Sequence, residues 1–275
     1  DLDLVVVYFD PQDIMAEITP GEFYSRTVEL FVTTLSSMTR DGSLYRVDLR
    51  LRPFGSKGMS AMSIDAFLGY MTETAAVWEM LAFVKLRMVG GDASIGLNVE
   101  NETRRVIHER AAALPADELR DETLRVRLAL ENQRVRPHRG DIDIKYGSGG
   151  MLDVYFAMRF LQLRDSVPDE EVEEERSKGV GENGRSTTYM LDKLAARGSL
   201  SAEIHTELLA GYNFLSELDH NLRLTIGRTT RVPLGNDNTL KTIAARMGLV
   251  STADLLEQLT LHRLAIRSAF ENILS

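Results

Sequence analysis

The chain has 275 residues, of which 44% are apolar and none is cysteine, and its formal net charge is −9. Without cysteine there are no disulfides, thiolate metal ligands or cysteine nucleophiles. The acidic balance argues against a nucleic-acid partner, which normally requires a surplus of Lys and Arg. No apolar run of about 18 residues and no leader peptide is present, so we expect no membrane partner and a cytoplasmic protein. Because a strand is predicted from Asp1 onward, we also expect upstream sequence to be missing.

The hydrophobic pattern predicts a small mixed head followed by a helical body. Asp1 to Phe9 is predicted to be a strand with Leu2 and Leu4 on its apolar face. Helical spacing is predicted over these segments: 21–40, 63–88, 117–136, 151–164, 186–197, 201–226, 239–248 and 251–274. We therefore expect an α+β fold, divided into a mixed domain over 1–165, a linker over 166–185 and a helical domain over 186–275.

The segment SLYRVDLRLRPFG, residues 43–55, has an unusual alternation. Between residues 46 and 52 the two-residue period predicts a strand with one apolar and one polar face. The apolar face carries Val47, Leu49 and Leu51. The polar face carries three guanidinium groups around a single carboxylate: Arg46, Asp48, Arg50 and Arg52.

Asp1, Asp3 and Asp48 are candidates for a metal site. Residues i and i+2 of a strand lie about 7 Å apart on one face, and a neighbouring strand lies about 4.8 Å away. Three carboxylates that converge in this way repel one another unless a divalent cation lies between them. Mg²⁺ prefers carboxylate oxygens, and two such ions are used in nucleotidyl transfer. The alternative is that Asp1 and Asp3 only mark the start of a strand.

Arg50 and Arg52, beside Asp48, are candidates for phosphate binding, because a planar guanidinium donates two parallel hydrogen bonds. The alternative is an exposed, salt-bridged strand face.

The GSGG segment at 147–150 precedes a predicted helix, whose free N–H groups favour anions, although such turns are common. GVGENG at 179–184 matches a dinucleotide motif in form only. It follows an acidic run rather than a strand, so we interpret it as a loop.

Four segments in chain order resemble the glutamate–ammonia ligase (glutamine synthetase) adenylyltransferase family. They are DLDL at 1–4, LYRVDLRLRPFGSKG at 44–58, WEMLAFVKLRMVGGD at 78–92 and DIKYGSGGMLDVYF at 143–156. The resemblance spans nearly the whole chain, and the second segment is the most specific. It implies a polymerase-β-type nucleotidyltransferase head over 1–165 followed by a helical bundle. It also implies ATP as substrate, two Mg²⁺ ions, and glutamine synthetase and a PII-type signal protein as partners.

The resemblance also assigns residues, position by position. Asp1, Asp3 and Asp48 match the catalytic, metal-binding carboxylates of the family. The residues that it places around the nucleotide are Arg50, Arg52, Lys85, Arg87, Gly149, Gly150 and Asp153, with Lys85 and Arg87 on the same helix as Trp78 and Glu79. Two features depart from the family pattern. The Gly-Ser motif before the first aspartates is not in this chain, and Tyr155 stands where the family usually has glutamate.

Three functions remain open at this stage. The first is attachment of AMP to a tyrosine of glutamine synthetase, which we favour, or its phosphorolytic removal by the same type of unit. The second is a non-catalytic unit that docks glutamine synthetase and a PII-type sensor; the retained carboxylates argue against it. The third is an RNA nucleotidyltransferase of the same fold superfamily, which the acidic balance disfavours.

Overall fold

The structure, a computed structural model, describes residues 2–9, 18–40, 42, 44–135, 141–169 and 186–275. Within these residues the fold is mostly helical with a few short strands, as the α+β prediction requires. Asp1, GVGENG and most of the predicted linker lie outside the described residues. None of the helices in the described ranges is both long and apolar enough to cross a bilayer.

The chain divides into two compact units, Asp1–Arg110 and Ala111–Ser275. This division differs from the sequence-based boundary at residue 165. The helices that lie between residues 111 and 165 pack among the later helices of the second unit. The catalytic domain boundary at 165 stays a prediction about function.

Unit 1 is built on two parallel strand pairs. Strand β1 (Leu2–Asp3) pairs with β3 (Val47–Asp48), and β2 (Val7–Tyr8) pairs with β4 (Met62–Ser63). Parallel strands need a crossover connection, and helix α1 (Pro20–Ser36) lies between the paired strands in sequence. The predicted strand from Asp1 to Phe9 is therefore two short strands.

The helix predicted over 63–88 is wrong, because two helices occupy this segment. They are α2 (Ile64–Glu73) and α3 (Val77–Phe83). The buried carboxylate of Glu79 accepts a hydrogen bond from the Ala76 backbone N–H at 2.8 Å, which starts α3 anew. The same carboxylate accepts a bond from the Tyr70 hydroxyl at 2.7 Å. Unit 1 also contains helix α4 (Ala93–Ala113) as far as Arg110.

The strand predicted over 46–52 is also too long, because only Val47 and Asp48 pair in a strand. After Leu49 the backbone enters a series of turns held by the Arg52 side chain. Its guanidinium donates to three main-chain carbonyl groups, those of Leu49 at 2.8 Å, Gly58 at 3.0 Å and Ser56 at 3.3 Å. Gly58 packs directly on the Pro53 backbone, where a Cβ atom would overlap the carbonyl oxygen. The turns therefore form a compact loop.

Unit 2 is helical, as the periodicity predicts. The helices that begin within its described residues are α5 (Ala116–Arg134), α6 (Met151–Arg164), α7 (Thr187–Ala196), α8 (Ala202–Ile226), α9 (Asp237–Arg246) and α10 (Thr252–Ile273). Strand β5 (Ile142–Asp143) pairs antiparallel with β6 (Arg231–Val232). Helix α6 is almost wholly buried and packs against α5, α7, α8 and α10. It forms the centre of this unit.

Candidate functional site

The two described carboxylates of the predicted site lie side by side. In the parallel pair of β1 and β3, Asp3 is the register partner of Asp48. The backbone bonds on either side hold this register, with the Leu2 N–H 2.7 Å from the Arg46 carbonyl and the Leu4 N–H 2.9 Å from the Asp48 carbonyl. Register partners on adjacent strands lie about 5 Å apart and face the same way. Strand pairing thus brings together residues that are far apart in sequence.

The two faces of β1 differ as the alternation predicts. Leu2 and Leu4 line an apolar groove of about 660 Å³, together with Val28 and Phe31 of α1. Asp3 does not line that groove and is exposed. Its carboxylate is therefore available on the polar face.

Arg50 holds the Asp48 carboxylate with both of its oxygens engaged. The Arg50 Nε lies 3.0 Å from Oδ1 and 2.8 Å from Oδ2, and the Arg50 backbone N–H donates to Oδ1 at 2.9 Å. These hydrogen bonds hold the pKa of Asp48 below its usual value, against a weaker opposing effect of burial. The side chain of Arg50 is 75% exposed and that of Asp48 is 23% exposed. Asp48 is therefore an ionised carboxylate at the surface.

The structure places Arg52 differently from Arg50. Its guanidinium donates three hydrogen bonds, and all three go to carbonyl groups of the loop. The structure thus brings together Asp3, Asp48 and Arg50, and it gives Arg52 main-chain partners. The alternation in the sequence does not reveal this difference between the two arginines, because the difference depends on where the strand ends.

Lys85 and Arg87 do not lie on the helix that the sequence predicted. Helix α3 ends at Phe83, a turn follows at 84–85, and residues 86–89 have no regular secondary structure. Both side chains are exposed, and Arg87 lines the apolar groove beside β1. A shared helical face for these two cations is therefore wrong, while their nucleotide-binding role stays a prediction.

Asp153 lies in unit 2 and is fully buried. It accepts hydrogen bonds from the Arg127 Nε and, at 2.7 Å, from the Gly149 N–H. Arg127 is equally buried and donates to the Gly147 carbonyl at 3.0 Å. The chain's own carboxylate thus takes up an N–H group at the start of α6, where the sequence suggested an external anion.

The glycines of this motif allow close packing. Gly149 has a φ of +68°, and a Cβ atom there would overlap the Arg263 carbonyl oxygen of α10. At Gly150 a Cβ atom would lie 2.8 Å from the carbonyl oxygens of Ile144 and Gly147. Arg263 donates to the Ser148 carbonyl at 2.7 Å. Sequence analysis missed Arg127 and Arg263, because no local spacing links either residue to the glycines.

Tyr155, which stands where the family usually has glutamate, is half-buried on α6. Its ring meets Phe156 edge-on at 5.7 Å, and the Arg159 guanidinium lies 5.4 Å from the ring centre. Its surroundings are therefore aromatic and cationic, within the packed centre of unit 2.

The described donors fit a magnesium ion. Asp3 and Asp48 offer hard oxygen atoms on adjacent strands, and Mg²⁺ usually takes only one or two protein carboxylates and completes its shell with water and phosphate. The described residues contain no group of three or more side chains that could hold a metal alone. The third predicted ligand, Asp1, lies outside them.

Paired strand carboxylates beside an arginine are suited to nucleotidyl transfer, and both family models that match this chain describe nucleotidyltransferases. Glutamate–ammonia ligase adenylyltransferase matches residues 1–102, and GlnD PII-uridylyltransferase matches residues 122–274. The chain belongs to the glutamine synthetase adenylyltransferase/adenylyl-removing enzyme family.

Two relatives illustrate the similarity, and each is named a bifunctional glutamine synthetase adenylyltransferase/adenylyl-removing enzyme. The protein of Pseudomonas syringae pv. tomato is 28% identical over 278 residues, covering 100% of this chain and 27% of the relative. The protein of Bartonella quintana is 37% identical over 235 residues, covering 82% of this chain and 22% of the relative. The chain thus spans about a quarter of the length of these relatives.

Proposed function

We propose that this chain is a Mg²⁺-dependent nucleotidyltransferase unit that attaches AMP from ATP to a tyrosine of glutamine synthetase. The observation that carries the proposal is the register that sets Asp3 beside Asp48, with Arg50 bonded to Asp48. The match of residues 1–102 to the adenylyltransferase family supports it. A polymerase-β-type head followed by a helical bundle is part of the same proposal, as is a cytoplasmic location.

In this proposal Asp3 and Asp48 hold the metal together with Asp1, which precedes Asp3 by two residues in sequence. Bound divalent ions supply charge stabilisation for an in-line displacement at phosphorus and lower the pKa of the attacking hydroxyl. The carboxylates would hold these ions in place, and the ions would offset the negative charge of the triphosphate. Arg50 binds phosphate oxygens and neutralises the negative charge that develops at the α-phosphorus.

The remaining assigned residues divide into two groups. Lys85 and Arg87 are exposed cations suited to direct contact with the nucleotide. Arg52 acts by shaping the loop that carries Arg50, as its carbonyl contacts support. Gly149, Gly150 and Asp153 act by shaping the start of α6, as their buried contacts support.

At phosphorus, the transfer reaction makes one bond and breaks one. The phenolic oxygen of the target tyrosine bonds to the α-phosphorus, and the bond from that phosphorus to the β-phosphate oxygen breaks. Pyrophosphate leaves, and the phenolic proton passes to water.

Removal is the second candidate, because the names of the relatives include both activities. There, an oxygen of inorganic phosphate attacks the AMP phosphorus, the tyrosine oxygen leaves and takes up a proton, and ADP forms.

The same comparisons support two proposed partners. Glutamine synthetase is the protein substrate in the names of the relatives. The match of residues 122–274 to a PII-uridylyltransferase model supports a PII-type signal protein as the partner of unit 2.

The test incubates the chain with Mg²⁺, ATP labelled in its adenine and glutamine synthetase, and in parallel with adenylylated synthetase and phosphate. Label on the synthetase supports transfer, and release of ADP supports removal. If neither product appears while the synthetase still binds, the result contradicts both transfer and removal and supports a docking unit.

Asp48→Asn is the variant that links activity to the site. We expect it to abolish turnover and to change the free energy of unfolding by no more than about 1 kcal/mol, because Asp48 pairs with an exposed arginine. Asp65→Asn, at an exposed position in the first turn of α2, is the matched control and should keep full activity. A large loss of stability in Asp48→Asn would make Asp48 structural.

A further inference from the structure

Arg50 occupies the oxygens that a metal ion would need. Both oxygens of Asp48 accept hydrogen bonds from its guanidinium, through Nε and through a terminal nitrogen. Among the described residues, Asp48 is the only hydrogen-bond partner of this guanidinium. The side chain is 75% exposed, so packing against the described residues restrains it little.

A divalent cation and a guanidinium compete for one carboxylate. Both bind through the same oxygen lone pairs and carry charge of the same sign, so the presence of one weakens the binding of the other. Arg50 in its observed position therefore opposes a cation at Asp48. The geometry allows the cation and the guanidinium to bind Asp48 one after the other rather than at the same time.

The loop lets the side chain leave while its backbone stays. Arg52 ties the turns together through three carbonyl groups, and Phe54 packs edge-on against Tyr70 at 4.9 Å. The Arg50 backbone N–H keeps its own bond to Asp48 Oδ1. A rotation of the Arg50 side chain thus frees Asp48 Oδ2 and leaves Oδ1 with the backbone N–H alone, without unfolding the loop.

We infer that Arg50 is a displaceable counter-ion for Asp48. Without a cation its guanidinium holds the carboxylate; cation binding releases it, and it then binds the phosphate groups that arrive with the nucleotide. This inference rests on the metal site of the proposed function. Removing the guanidinium should accordingly have opposite effects, tightening cation binding and weakening nucleotide binding.

The test measures Mn²⁺ binding without nucleotide, from the free-ion electron paramagnetic resonance signal. Arg50→Gln should bind Mn²⁺ about five-fold more tightly than the wild type, the factor for an exposed ion pair of up to about 1 kcal/mol. Arg46→Gln is the matched control. It removes the same charge from an exposed position two residues before Asp48, and its dissociation constant should stay within about two-fold of the wild type.

A second arm measures a non-hydrolysable ATP analogue with Mg²⁺, for which Arg50→Gln should bind several-fold more weakly. Equal or weaker Mn²⁺ binding by Arg50→Gln overturns the counter-ion role. Asp48→Asn separates the two proposals. If it abolishes Mn²⁺ binding while Arg50→Gln matches the wild type, only the counter-ion role fails. If it binds Mn²⁺ as well as the wild type, the metal site itself fails.

Discussion

Two aspartate–arginine pairs, one in each unit, use the same groups in opposite surroundings. In unit 1, Asp48 pairs with Arg50 and accepts a nearby backbone N–H; in unit 2, Asp153 pairs with Arg127 and also accepts a nearby backbone N–H. The Arg50 side chain is 75% exposed, whereas Arg127 and Asp153 are both 0% exposed.

This difference decides what each pair can do. Water can replace Arg50 at Asp48, so the first pair can exchange partners at little cost. A buried charge that loses its partner retains a desolvation penalty of several kcal/mol, so the second pair stays closed. The sequence suggested ligand-binding roles for both carboxylates, and solvent exposure supports a direct role at Asp48.

Arg127→Met should have the largest effect on stability, and it tests the comparison between the exposed and the buried pair. It leaves the Asp153 carboxylate buried without its main partner, and the free energy of unfolding should fall by about 3–5 kcal/mol. Urea unfolding followed by circular dichroism measures the loss. Arg125→Met, which breaks an exposed pair with Glu122 on the same helix, should cost at most about 1 kcal/mol. Equal losses in the two variants would remove the distinction.

Gly149→Ala comes next in size. Its Cβ atom would overlap the Arg263 carbonyl at a positive φ, so we expect a loss of about 2–3 kcal/mol. Gly198→Ala is the control, because Gly198 also has a positive φ, of +78°, but open space around it. It should lose only about 1 kcal/mol of stability, from backbone strain. Thermal unfolding of both variants tests whether packing, beyond conformation, requires the glycine.

The smallest expected effect on stability is at Tyr70, whose side chain is half-buried, between the exposed Asp48–Arg50 pair and the buried Asp153–Arg127 pair. Burial, and then its hydrogen bond to Glu79, raises the pKa of Tyr70 to about 12. The ordinary pKa of tyrosine is about 10, so the folded state favours the neutral phenol. This contribution to stability is complete below pH 10 and is lost as the pH rises from about 10 through 12.

Urea unfolding at pH 9 and pH 11 measures this contribution. The stability advantage of the wild type over Tyr70→Phe should shrink by up to about 1 kcal/mol between the two pH values, since partial solvent exposure weakens the effect. An advantage that stays constant across this range would mean that neither burial nor Glu79 raises the pKa of the phenol.

The sequence predicted the helices of unit 2 well because their apolar periods are interrupted by glycine and by polar caps. The prediction of 151–164 coincides with α6, and Ser201 caps α8 where the pattern begins. Unit 1 was harder to predict. The break between α2 and α3 depends on the Glu79 carboxylate binding a backbone N–H, which no period reveals.

The candidate site divides in the same way. The alternation around Asp3 and Asp48 was enough to expect the two carboxylates on adjacent strands. It could not distinguish Arg50 from Arg52, because the strand ends at Asp48 and the Arg52 donors go to carbonyl groups of the turn. Nor could it show that Arg127 reaches Asp153, since that contact depends on how two helices pack.

The pairing of β5 with β6 has a consequence for the integrity of the chain. Asp143 and Thr230, on opposite sides of the 170–185 segment in sequence, share a hydrogen bond of 3.0 Å, and α6 packs against α7, α8 and α10 beyond that segment. A single proteolytic cut between Asp169 and Ser186 would therefore leave two fragments that share one core. Such a nicked protein would stay assembled, and the two fragments are natural halves for reconstitution by complementation.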